Sequence, residues 1–114
     1  MTDDAPGLLI DAEAILDGRT HLPRNQATRA AAWLARTALE LLVIARLDAR
    51  GVDAHRATMR SQLSCLRILD PEFAGEAGTI WVGLSRCCHH HAYELAPSAA
   101  EVKHYLDVLR RHTE

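Results

Sequence analysis

Apolar residues recur along this chain at steps of three and four, and no run alternates with polar residues over the length of a strand. That spacing is the mark of helices that bury one face. The clearest such stretch lies between Asn25, a suitable N-cap, and Gly51, a suitable stop. Within it Ala27, Ala31, Leu34, Ala38, Leu41 and Ala45 form one stripe, widened by Ala35 and Leu42. Arg29, Arg36, Glu40 and Arg46 lie off the stripe, and Arg36 and Glu40, four apart, are placed to pair.

Four further helices follow from the same pattern. A short one is predicted from Leu8 to Leu16, stopped by Gly18 and followed by a loop to Arg24 that contains Pro23. The third runs from about Ala57 to Leu69 on Met59, Leu63 and Leu66, and Pro71 ends it. The fourth spans Phe73 to Tyr93 or Leu95, with Phe73, Ala77, Ile80, Leu84, Cys88 and His91 in step and Trp81 beside Ile80. Gly78 and Gly83 fall inside it; each costs up to about 1 kcal/mol relative to alanine, so close packing is expected at those turns. The fifth begins at a capping box of Ser98 and Glu101, buries Val102, Tyr105, Leu106 and Leu109, and places Arg110, Arg111 and His112 at the negative end of its dipole.

Composition narrows the class. A chain of 114 residues fits one domain, 1–114, large enough to bury a core without staples. Alanine supplies much of the 48% apolar content, while β-branched and aromatic residues are scarce. An all-α, antiparallel four- to five-helix bundle is therefore expected. The acidic start MTDDAPG is unlike a secretory leader, and apolar runs such as Leu41 to Ala45 are far too short to span a bilayer. Cys65, Cys87 and Cys88 are odd in number, with two adjacent, which fits reduced thiols in a cytoplasmic protein and no membrane contact.

The net charge of −2 hides a strong asymmetry. Residues 1–18 carry −5, residues 19–67 carry +6 through nine arginines, and residues 68–114 carry −3. The basic middle could meet phosphates or an acidic partner, or it could be a solvated helix surface. Overall acidity mildly disfavours a general nucleic-acid binder.

The densest chemistry is Arg86-Cys87-Cys88-His89-His90-His91, followed by Tyr93 and Glu94. Within one helix Arg86, His90 and Tyr93 share a side, and Cys87 and His91 share another. Cys87 and His91 could give zinc two ligands, but no second pair completes a four-ligand site, so no metal is expected. A nucleophilic cysteine would need a base and an exposed, electropositive setting, whereas Cys87 and Cys88 read as small buried residues. Arginine and histidine together suit phosphodiester chemistry: His91 can move protons during attack by an RNA 2′-hydroxyl, and Arg86 can stabilise charge on the phosphoryl oxygens. No cofactor is needed. The bland alternative is that His91 is a satisfied core residue and Arg86 belongs to a surface ion pair.

Several segments, AAWLARTALELL, RSQLSCLRIL and above all LSRCCHHHAYELAPSAAEV, resemble a small actinobacterial family of the HEPN superfamily over roughly residues 24–112. The resemblance implies a helical bundle that homodimerises. It also implies a metal-independent ribonuclease whose arginine and histidine, four to six residues apart, meet across the dimer. Carried over, the pair is Arg86 and His91, with His90 and Tyr93 as supporting or RNA-binding residues. The dimer interface is expected to include residues 86–93. A second arginine–histidine pair at the same spacing, Arg50 and His55, straddles Gly51 and reads as a loop coincidence. The residue after the arginine is often polar in active HEPN nucleases and is Cys87 here, so a non-catalytic adaptor or an antitoxin-like partner on the same fold is the alternative. A regulator that binds a small ligand between helices is a third class.

Overall fold

The computed structural model describes residues 4–88 and 98–113, which form five α-helices with no strand among them. They are α1 (Ala5–Leu16), α2 (Arg24–Ala49), α3 (Met59–Leu69), α4 (Pro71–Cys88) and α5 (Ala99–Arg111). None is long and apolar enough to cross a membrane.

Local signals explain most of the boundaries. Asp4 caps α1 by accepting from the Gly7 N–H at 2.9 Å, with Pro6 in the first turn, so α1 starts three residues before the predicted Leu8. Gly51, at φ +77°, ends α2 in a two-bond cap: the Gly51 N–H reaches the Asp48 carbonyl and the Val52 N–H reaches the Leu47 carbonyl. Asn25 is not the cap of α2. The helix begins at Arg24 behind Pro23, with no side-chain cap bond. Thr58 caps α3 through the Ser61 N–H, and Ser98 caps α5 through the Glu101 N–H at 3.2 Å, the forward half of the expected box. Pro71 both stops α3 and opens α4, because its missing N–H is harmless in a first turn; Asp70, between the helices, accepts from the Phe73 N–H. The predicted end of α4 at Tyr93 or Leu95 lies outside the described residues.

Helix α2 is the spine and touches all four others. Its buried residues are Ala31, Ala32, Ala35, Ala38, Leu39, Leu42, Val43 and Leu47. The predicted stripe was therefore rotated by about one residue: Leu41 and Ala45 are exposed, and Leu34 is half-buried. The completely buried alanines leave room for neighbouring helices to approach the α2 backbone closely. Helices α1 and α5 also meet each other, as do α3 with α4 and α4 with α5. Phe73, Leu39, Leu47, Leu66, Leu84 and Leu106 are the large side chains at the centre.

Polar contacts tie the periphery. Arg110 of α5 pairs with Glu13 of α1. That hydrogen bond holds the Glu13 carboxyl below its ordinary value of 4.5, against the opposing pull of burial, and the charges of Arg110, Lys103 and Arg19 add to it. A depressed folded-state value stabilises the fold above pH 4.5 and is lost as the pH falls through the folded value. Glu13→Gln is accordingly expected to flatten the fall of melting temperature below about pH 4.5. An unchanged slope would mean that the pair contributes nothing.

The two glycines of interest in α4 behave differently. A Cβ on Gly83 would lie 2.6 Å from Cζ of Tyr105, so the tyrosine ring of α5 crosses bare backbone there. A Cβ on Gly78 would meet nothing within 4 Å. Close packing, expected at both, holds at Gly83 alone. Gly83→Ala should forfeit the usual gain of about 1 kcal/mol from replacing a helical glycine and lower the melting temperature by displacing Tyr105. The double variant with Tyr105→Ala should recover part of that loss in thermal melts.

Candidate functional site

Arg60, Ser64 and Arg67 lie at steps of four and three on α3, so they share one face. Thr79, Val82 and Arg86 do the same on α4. Between these faces runs a groove of about 920 Å³, which Trp81 and Tyr105 also line. No aspartate or glutamate lines it. The three arginines are exposed, and among the described residues none is paired with a carboxylate. In a chain of net charge −2, three guanidinium groups along one acid-free groove make a local positive field for an anion. The Arg36 guanidinium stacks on the Trp81 ring at 4.4 Å and faces Glu40 at 3.6 Å, so the expected pair on α2 also holds the indole at the groove's edge.

Arg86 stands on the last described turn of α4, exposed and in the groove. His90, His91 and Tyr93 lie outside the described residues. Cys87 and Cys88, beside Arg86, are both 5% exposed, and Cys87 belongs to the core cluster. Arg29 donates from Nη2 to the Cys88 carbonyl at 3.3 Å, which ties the first turns of α2 to this end of α4.

Burial pushes the Cys87 thiol up to about 11, with help from Cys88 and the Glu101 carboxylate and against the pull of Arg86. A thiol so placed is protonated near neutral pH and is no poised nucleophile. In a thiol titration at pH 8, half-buried Cys65 is therefore expected to react first and Cys87 only on unfolding. Fast alkylation of Cys87 in the folded protein would contradict this placement.

The second arginine–histidine pair is arranged differently. Arg50 is the exposed C-cap residue of α2, and His55 Nε2 lies 3.0 Å from Asp48 Oδ2. Neither lines the α3–α4 groove. Sequence reasoning missed Arg60 and Arg67 as site residues. Their signal was the shared face of positions 60, 64 and 67, but nothing local says that this face meets α4 across an open groove.

A polar cluster at the other end of α4 was also missed. Arg46 Nη1 donates to Asp70 Oδ2 at 2.8 Å, and Arg46 Nη2 donates to His112 Nδ1 at 3.2 Å. The other ring nitrogen of His112 lies 3.3 Å from Glu76 Oε1. Its four members come from four parts of the chain, and they form a clasp that holds the end of α5 on α2 and α4.

Comparison with protein-family models, with curated proteins and with solved structures finds no match to this chain.

Proposed function

We propose that this chain is a HEPN-like helical domain that binds RNA and cleaves it without a metal, as a homodimer. The observation that carries the reading is the placement of Arg86: exposed, without a carboxylate partner among the described residues, and lining an acid-free groove with Arg60 and Arg67. In this reading Arg86 clamps the phosphodiester and His91 is the acid/base. The His91 imidazole takes the proton of the 2′-hydroxyl, the 2′-oxygen attacks phosphorus, and the 5′-oxygen leaves with a proton returned by the imidazolium. Arg86 stabilises the charge that gathers on the phosphoryl oxygens. His90 and Tyr93 support the strand. Val82, 56% exposed and one turn before Arg86, adds an apolar contact within the same groove.

A second reading, a non-catalytic adaptor or antitoxin-like module on the same fold, draws support from Cys87. It follows the arginine where active HEPN nucleases often carry a polar residue, and it is buried in the core. Incubating the purified protein with single-stranded RNA in EDTA separates the two. Cleavage that leaves 2′,3′-cyclic phosphate ends is the expected result, with light scattering reporting a dimer at tens of micromolar. Intact RNA under every condition would favour the adaptor.

A further inference from the structure

Gly75 and Gly78 sit in the interior of α4, where glycine is the least favourable residue after proline. A Cβ on either would meet nothing within 4 Å, so packing does not require them. Both line the α3–α4 groove. Gly83, the α4 glycine that packing does require, does not. Two glycines without a packing role, in a groove that three arginines also line, mark a place where a ligand approaches bare backbone.

We infer that the α3–α4 groove binds an unpaired stretch of RNA, with a base lying flat against the α4 backbone at Gly75 and Gly78 and the flanking phosphates on Arg60 and Arg67. This rests on the reading of the domain as an RNA binder and adds where the strand lies and in what form. Arg60 and Arg67 are two turns apart, about 10 Å along α3, so they engage different phosphates. Trp81 and Tyr105 supply aromatic surface for stacking, and the Ser64 and Thr79 hydroxyls can bond to base edges or ribose. A duplex keeps its bases stacked inside and cannot offer one to the bare backbone at Gly75 and Gly78, so the ligand is single-stranded.

The test uses the full chain and a fluorescein-labelled 2′-O-methyl RNA strand of about 12 nucleotides, read by anisotropy. Such a strand has no free 2′-hydroxyl and cannot be cut, so binding is measured apart from cleavage. The double variant Gly75→Ala, Gly78→Ala is expected to raise the melting temperature by several degrees and to weaken binding about tenfold. Arg60→Ala and Arg67→Ala should each weaken binding several-fold and lower the slope of log K against log salt by about 0.7. A raised melting temperature with unchanged affinity in the glycine variant would overturn the inference. So would equal affinity for a duplex, or competition by a mononucleotide as strong as by the unlabelled strand. Groove-dependent binding by a protein that cuts no RNA would support the inference while overturning the nuclease reading.

Discussion

Arg86→Ala is expected to slow RNA cleavage by a factor of about 10² to 10³ while leaving the melting temperature within a degree or two of wild type. The two halves of that expectation have separate causes. Arg86 is exposed and, among the described residues, pairs with no carboxylate, so its removal costs the fold little. In the proposed reaction it faces charge that develops on the phosphoryl oxygens, which is where a fixed guanidinium contributes most. Arg86→Lys should recover part of the rate, because it keeps the charge and loses the bidentate fork. Arg50→Ala is the control. It removes an exposed C-cap arginine outside the groove and should leave the rate near wild type. Equal losses from Arg50→Ala and Arg86→Ala, in initial rates on labelled single-stranded RNA, would reduce Arg86 to one cation among many.

Phe73→Ala should cost about 3–5 kcal/mol of stability, enough to leave a domain of ordinary stability partly unfolded near body temperature. Phe73 is 1% exposed and among the largest fully buried side chains. The Arg46 guanidinium lies 4.3 Å over its ring, and the His112 ring meets it edge-on at 4.7 Å. Truncation therefore opens a cavity and also removes the surface on which the clasp of Arg46, Asp70, Glu76 and His112 rests. Phe73→Leu keeps most of the volume and should cost under half as much. Chemical denaturation gives the comparison directly, as a lower midpoint with the slope unchanged. A loss below about 1 kcal/mol for Phe73→Ala would mean that the ring is not the centre of the core.

What could be read along the chain was what local chemistry decides. The stops at Gly18 and Gly51, the Ser98 cap and the Arg36–Glu40 pair each depend on residues within about one turn of each other. On α5 the expected Val102, Leu106 and Leu109 are buried, whereas Tyr105 is half-buried where it crosses Gly83, and Val108, off the expected side, is buried as well. Helix α2 gave no such contrast. Alanine and leucine occupy most of positions 30–47 on several sides, so more than one stripe fits the spacing. Its phase is set by the four helices around it, which bury Leu42 and leave Leu41 exposed. The site divides in the same way. Arg86 stood out from its neighbours in sequence, whereas Arg60, Arg67 and the bare backbone at Gly75 and Gly78 gain meaning once α3 lies beside α4. Gly78 shows the limit most plainly: the same helical glycine can signal tight packing or an open groove, and only the neighbouring helix decides.

The proposed cleavage of RNA by Arg86 and His91 is tested most directly by His91→Ala, with rate and melting measured on the same preparation. His91 is the residue for which a catalytic and a structural role predict opposite outcomes. Without the proton shuttle, cleavage of single-stranded RNA in EDTA should fall by a factor of about 10² to 10⁴. A catalytic His91 gives that fall with an unchanged melting temperature. Wild-type protein that cuts no RNA, together with a His91→Ala variant that loses only stability, would contradict it.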